Sequence, residues 1–327
     1  MDPMINKTVL ITGSSGYIGS HIAKYFAQKE YTVLGLDREP PPNGLKPYLH
    51  DNLQTDIAQT RTVKDFLQQY ACKNIIHCAA LALVEESVSD PNKYFDNNVV
   101  KANAFLNVCR EVEVKNFIFS STAAVYGEPK QNPISEKHPR NPINPYGQSK
   151  KEFEEHLLSH HHAGSIHAGI FRYFNACGAD LGGEIGENHD PETHFIPNLI
   201  KSALTHQDVV LFGNNYPTFD GTCIRDYIHV WDLASSHYLL LEKMLTTSVD
   251  PVYNLGTKEG YSLLQIVEAA EKILGKSIRY HFKPPRAGDF STLVADATKA
   301  REVLNWTPQY SDLNTIVSSA LKWHQKQ

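Results

Sequence analysis

The sequence predicts an α/β fold, a doubly wound parallel Rossmann-type sheet followed by a smaller, mixed α/β C-terminal region. Three observations carry this expectation. Short apolar runs alternate with helix-length segments through the first half, the runs are apolar at consecutive positions, and a glycine-rich turn follows the first of them. A strand covered by helices on both faces has no polar side, so Val9-Leu10-Ile11 and Phe117-Ile118-Phe119 read as interior parallel strands.

Taken in order, strands are expected at Thr8–Thr12, Thr32–Asp37, 74–78, 116–120 and His167–Tyr173, with a further short strand before Asp56-Ile57. Helices are expected at Tyr17–Gln28, 61–70, 91–112 and 148–159, each long enough to cross over between parallel strands. After about Ala176 the composition turns to loops rich in Gly, Asn, Asp and Pro, with helices near 195–206, Leu263–Leu274 and 313–323. The expected division is a dinucleotide-binding domain at 1–176, to which segments near 227–256 return, and a ligand-binding region at 177–327. No repeat or low-complexity linker separates them, so a shared cleft is expected.

The formal net charge is −5 without a long Lys/Arg run, which gives no general reason to bind nucleic acid or an anionic membrane surface. The apolar runs at Val209–Phe212 and 238–241 are far shorter than the roughly 20 residues of a membrane span. The five cysteines are scattered with no Cys-x-x-Cys pair, which fits reduced thiols and a cytoplasmic location. The first residues pass within a few positions into a strand, so no secretory leader is expected. His160-His161-His162, with His156 one turn earlier, lacks a carboxylate or cysteine to complete a metal site and reads as a polar helix end. No metal is expected.

The strongest local signal is Gly13-Ser14-Ser15-Gly16-Tyr17-Ile18-Gly19 between the first strand and the first helix. Glycine lets the backbone turn tightly and approach a pyrophosphate, while the helix N-terminus offers N–H groups and positive dipole character. Taken alone, such a turn needs only backbone freedom. Asp37 ends the second strand about 20 residues later, where a carboxylate accepts from an adenosine ribose and repels a 2′-phosphate, which favours NAD over NADP. Arg38 beside it weighs the other way. Asp56-Ile57 either reaches the adenine edge or caps the next helix.

Tyr146-Gly147-Gln148-Ser149-Lys150 sets a phenol and an ammonium four residues apart at the start of a helix, on one face. A neighbouring cation is expected to lower the phenol by roughly 1–3 units from about 10, making it a usable base. Ser120-Ser121-Thr122 ends the preceding strand, and Thr122 supplies a hydroxyl beside the reacting alcohol. Alone, Thr122 is an ordinary β-branched strand residue.

With these residues in hand, the chain resembles the UDP-glucose 4-epimerase family of the extended short-chain dehydrogenases/reductases, over essentially its whole length. The resemblance runs through Gly16 to His21, Asp96-Asn97-Asn98-Val99, Asn116 to Ser121, Val125-Tyr126-Gly127 and Asn144-Pro145-Tyr146-Gly147. It continues in Arg172-Tyr173-Phe174-Asn175, Tyr216-Pro217-Thr218, Asp220-Gly221-Thr222, Arg225 to Val230 and Tyr253 to Gly256.

The resemblance implies an NAD-dependent isomerase acting on a UDP-sugar, through a 4-keto intermediate, with homodimerisation through the helices containing 91–112 and 148–159. It implies a catalytic group of Thr122, Tyr146 and Lys150. It implies NAD contacts at Gly13, Gly16, Tyr17, Ile18, Gly19, Asp37, Asp56, Ile57, Ala79, Ala80, Asn97, Ser120, Tyr146, Lys150 and Tyr173. Substrate contacts fall at Thr122, Tyr146, Phe174, Asn175, His194, Phe195, Phe212, Arg225, Arg286, Asp289 and Leu293. Arginine suits phosphate and Asp289 suits ribose hydroxyls; without the resemblance they read as surface ion pairs. Two positions depart from the family pattern. Ala82 stands where many members have lysine, which implies weaker NAD retention, and Leu293 is intermediate between the bulky and small residues that set sugar range. Nucleotide-sugar dehydratases share the fold but need acid/base groups after the catalytic hydroxyl, where this chain has Ala123-Ala124.

Overall fold

The computed structural model describes residues 7–286 and 288–327; residues 1–6, on which the expectation of no leader partly rests, lie outside them. The first half runs β1 (Thr8–Thr12), α1 (Tyr17–Gln28), β2 (Thr32–Asp37), β3 (Asp51–Gln54), α2 (Thr60–Gln69), β4 (Asn74–His77), α3 (Val84–Ser89) and α4 (Pro91–Phe95). A π-helical segment, Asp96–Lys101, leads into α5 (Ala102–Glu111), β5 (Asn116–Thr122), α6 (Pro145–His162) and β6 (His167–Tyr173). Then come β7 (Asn175–Cys177), α7 (Phe195–Thr205), β8 (Val209–Phe212), β9 (Ile224–Arg225), β10 (Tyr227–His229), α8 (Val230–Met244) and β11 (Val252–Leu255). The chain closes with β12 (Tyr261–Ser262), α9 (Leu263–Leu274), β13 (Tyr280–Lys283), β14 (Thr292–Leu293), α10 (Thr298–Leu304) and α11 (Leu313–His324).

Seven strands form one sheet in the order β11-β6-β5-β4-β1-β2-β3, with every neighbouring pair parallel. The order reverses at β1, so the carboxyl ends of β1 and β4 flank the crevice where such sheets take ligands. Side chains of a strand alternate between faces. Val9 and Ile11 therefore pack with Ile22 and Phe26 of α1 and with α8, while Leu10 packs with Val63 of α2, Phe105 of α5 and Phe153 of α6. This double burial is why β1 is apolar at consecutive positions.

A separate core joins α7, α9 and α11 through Leu199, Ile266 and Ile316. Around it lie the parallel pairs β7/β10 and β8/β13 and a three-stranded sheet β12-β9-β14. None of the described helices is long and apolar enough to cross a membrane.

Two expectations are revised. The 91–112 helix is broken into α4, the π segment and α5. The widened turn buries Asn98, whose side chain accepts from Leu81 N at 2.9 Å and donates to Leu81 O at 3.0 Å and Ser149 Oγ at 3.1 Å. Such turns recur at functional sites because they redirect side chains out of the helical repeat. The 148–159 helix begins at Pro145, because Asn144 caps it by accepting from Gly147 N at 2.8 Å and proline fits the first helical position.

Candidate active site

The first cavity, about 270 Å³, opens at the carboxyl ends of β1, β2 and β4. Gly13, Gly16, Asp37, Asp56, Ile57, Ala79, Ala80 and Asn97 line it, eight of the residues expected to contact NAD. Its floor is bare backbone. Gly13 has φ +70°, and a Cβ there would meet Ala79 N at 2.7 Å; one on Gly19 would lie 2.1 Å from Gly13 O. No side chain caps α1, so its first N–H groups remain for an anion. Asp37 is fixed by amides of Ser15 (2.9 Å) and Glu39 (3.0 Å). These features fit a dinucleotide: a pyrophosphate-sized cradle without side chains, ending in an oriented carboxylate.

Tyr17, Ile18 and Gly19 form the first turn of α1 rather than lining this cavity. The Tyr17 side chain is committed elsewhere, donating its hydroxyl to Gly178 O at 2.7 Å. Its contribution to an anion is through the backbone.

Thr122 ends β5 and Tyr146 and Lys150 sit in the first turns of α6, which sets the Tyr146 phenol beside the Thr122 hydroxyl. Lys150 is buried, its Nζ 4.4 Å from the Phe119 ring centre. Ser120 approaches Cys78 Sγ at 3.1 Å, and Cys78 belongs to the cavity wall, which ties the strand end to the dinucleotide side. Burial raises the Tyr173 phenol well above its usual range, with neighbouring Ser120 working partly against it.

The expected phenol acidity is reversed. Burial pushes Tyr146 up to about 12, with the Thr122 hydroxyl working partly against it, and burial holds Lys150 down to about 8. Spacing shows that a cation is near; it does not show that removing both groups from water penalises both charged forms.

Beneath this group lies a buried network that sequence reasoning missed. Glu154, fully enclosed on α6, accepts from Ser121 Oγ at 2.5 Å, from Arg172 Nη2 at 2.6 Å and Nε at 2.9 Å, and from Arg140 Nη1 at 3.0 Å. It binds the end of β5 to α6 and β6, fixing the height of Thr122 against Tyr146. The signal was a glutamate one turn beyond Lys150 on the same helical face.

A second cavity, about 420 Å³, is lined by Asn175, His194, Phe195, Phe212, Arg225, Arg286 and Asp289, all expected substrate positions. Arg225 forms a very short ion pair with Asp289, and Arg286 stacks on Phe212 at 4.3 Å. Tyr216, missed as a site residue, donates to Asp289 Oδ2 at 3.2 Å; Gly213 makes room for its ring. Asn175 is held by donating Nδ2 to Asp226 O at 3.2 Å. Phe174 and Leu293 are outside this wall and pack on the Ala123, Val125 and Tyr126 cluster that follows Thr122. Leu293 pairs in register with Arg225, so it joins the two parts of the site.

With the geometry described, comparison with known proteins identifies the group. The profile of the NAD dependent epimerase/dehydratase family matches residues 9–256. A UDP-glucose 4-epimerase of Lactobacillus helveticus is 43% identical, with 97% of each chain covered. A UDP-glucose 4-epimerase structure from Brucella ovis in complex with NAD superposes with TM-score 0.92 at 40% identity, covering 96% of this chain and 97% of that one. A Bifidobacterium longum UDP-glucose 4-epimerase in complex with NAD+ and UDP superposes with TM-score 0.90 at 35% identity, covering 98% of both. The chain belongs to the NAD dependent epimerase/dehydratase family and, within it, to the UDP-glucose 4-epimerase family.

Proposed function

We propose that this chain interconverts UDP-glucose and UDP-galactose by inverting C4 of the sugar, with NAD held by residues 1–176, to which 227–256 return, and the UDP-sugar held mainly by the rest of 177–327 together with Thr122, Tyr146 and Asn175. The observation that carries the reading is the juxtaposed Thr122/Tyr146 pair, linked through Ser120 to a dinucleotide-shaped cavity and through Leu293 to an arginine-rich one. NAD held between the turn at 13–19, Asp37 and Asn97 would supply a reversible hydride acceptor for the hydrogen on C4.

Tyr146 is neutral in the ligand-free site; as phenolate once the positively charged nicotinamide and the substrate are bound, it removes the proton of the sugar 4-hydroxyl and restores it after the ring has turned. Thr122 hydrogen-bonds the reacting oxygen, and Lys150 stabilises the phenolate. Arg225, Arg286 and Asp289 anchor the diphosphate and ribose, so the sugar can present either face while the nucleotide stays fixed. Alanine at 123 and 124 leaves no proton donor for elimination, which favours epimerisation over dehydration.

The reading extends to a cytoplasmic homodimer. Five free thiols support the compartment, and the exposed Val84 and Val88 of α3 and Val100 of the π-helical segment support an apolar face for a second copy. Light scattering after gel filtration tests the dimer.

The direct test is conversion of UDP-galactose to UDP-glucose by purified protein, with and without added NAD. Conversion is expected, and it rises with added NAD because Ala82 provides no charge for the cofactor. No conversion while NAD is bound overturns the substrate assignment.

A further inference from the structure

We infer that the loop before α7 holds a divalent metal site built from Glu187, His189, Glu192 and His194. Each of these residues offers one ligand atom, and the four atoms lie within 4.8 Å of one another. Glu187 Oε1 is 3.0 Å from His189 Nδ1 and still closer to His194 Nδ1, while Glu192 Oε1 is 3.8 Å from His189 Nδ1. Among the described residues this is the one group with such geometry.

A second observation points to a cation. The two carboxylates are buried, with side-chain exposures of 3% and 5%. Glu192 Oε2 is enclosed without a hydrogen bond and pairs with Lys201 Nζ at 3.8 Å, while Oε1, which faces His189, accepts from the amides of Thr193 (2.9 Å) and His194 (3.0 Å). Two enclosed carboxylates converging on two imidazoles place acceptors and ring nitrogens around one point, an arrangement that a divalent ion satisfies.

Two imidazoles with two carboxylates form a nitrogen and oxygen set suited to Zn²⁺, at about 2.0–2.2 Å in tetrahedral geometry. Tetrahedral ligands at that radius are about 3.3 Å apart, so the Glu187–histidine contacts open slightly as the ion enters. The site is separate from the Tyr146 group and takes no part in proton transfer. It braces a junction instead. Trp323 Nε1 of α11 donates to Glu187 O at 2.9 Å, His189 meets the edge of Tyr17 on α1, and His194 lines the larger cavity. If His194 binds through Nδ1, its Nε2–H stays free for an anionic ligand, which is how metal-bound histidines use their second nitrogen. This last link rests on the UDP-sugar reading.

The test uses the full chain, stripped with a chelator and desalted, then titrated with Zn²⁺ against a chromophoric competitor, with metal analysis after gel filtration. One equivalent per chain is expected. His189→Ala and, as a milder change, Glu192→Gln weaken binding at least tenfold, while His160→Ala leaves it unchanged. No stoichiometric Zn²⁺ in the parent chain, or equal retention in the His189 and Glu192 variants, overturns the site and leaves a hydrogen-bonded His/Glu cluster. UDP affinity, measured calorimetrically, falls at least threefold on stripping if the ion braces the cavity; unchanged affinity overturns that link. If UDP binds in neither state, the substrate reading fails while Zn²⁺ stoichiometry still decides the metal site.

Discussion

Thr122 Oγ1, which accepts from Ala124 N at 3.1 Å at the end of β5, lies beside the Tyr146 phenol of α6, so one reacting pair is delivered by two elements whose relative height Glu154 fixes. Tyr146→Phe is expected to lower kcat at least 10²–10⁴-fold, the range of a lost acid/base group, while bound NAD is retained. Thr122→Ser keeps the hydroxyl and most of the rate, whereas Thr122→Ala loses it. Initial rates with NAD content measured in parallel decide this; full activity in Tyr146→Phe removes the tyrosine from the mechanism.

The ligand-free site favours both members of the Tyr146/Lys150 pair uncharged. Tyr146 is pushed up to about 12, so the phenolate absorbance near 295 nm should be the same in the parent and Tyr146→Phe between pH 6 and pH 10. A phenolate signal from Tyr146 at pH 8 contradicts the burial argument. For Lys150 the folded value of about 8 lies below the ordinary 10.5. The stability cost is therefore absent above about pH 10.5, grows as the pH falls, and is complete below about pH 8, reaching at most about 3 kcal/mol. Lys150→Met should raise Tm at pH 7, and the gain should shrink toward pH 10.

Gly19→Ala should prevent NAD binding, since its Cβ has only 2.1 Å to Gly13 O and the turn must open. Fluorescence titration with reduced cofactor measures the loss, and circular dichroism checks that the fold persists. Binding within twofold of the parent would mean that the cradle lies elsewhere.

Leu293 packs against the cluster that follows Thr122 and pairs in register with Arg225, so it stands at the junction of the reacting group and the larger cavity. It is expected to permit some turnover of UDP-N-acetylgalactosamine, and Leu293→Tyr should suppress that activity several-fold while sparing UDP-galactose. Unchanged N-acetyl activity in the variant shows that another wall sets the sugar range.

Asp226 Oδ1 accepts from Thr257 N and Oγ1, both at 2.8 Å, and Oδ2 accepts from Ala295 N at 3.1 Å and Lys258 N at 3.3 Å. An asparagine has one oxygen for these four donors. Asp226→Asn should cost about 1–3 kcal/mol, read as a lower urea midpoint. A midpoint at or above the parent's would show that relief of burying the charge outweighs the lost bonds.

Where local pattern and packing agree, the sequence was legible to the residue: β1, α1 and β2 lie at their expected bounds because apolar runs, the glycine turn and Asp37 mark every boundary. The early start of α6 was also readable, since Asn144 and Pro145 are cap residues. The π segment was not, because it answers to Asn98 bonds with Leu81 and Ser149 that no helical period contains. The Tyr146 phenol was misjudged for a related reason: spacing reports a neighbour, and only the folded surroundings report the loss of water. Glu187, His189, Glu192 and His194 follow neither a helical nor a strand period, so only the fold brings their ligand atoms together.

Strand β11 completes the large sheet by pairing with β6, although β7 to β10, α7 and α8 intervene between them in sequence. During synthesis, the edge of β6 therefore stays open until residues 252–255 leave the ribosome. Ile170 and Phe171, buried in the finished protein, wait for that moment with unpaired backbone beside them. A fragment cut after the first half would carry this sticky edge permanently, and should self-associate instead of behaving as an independent nucleotide binder.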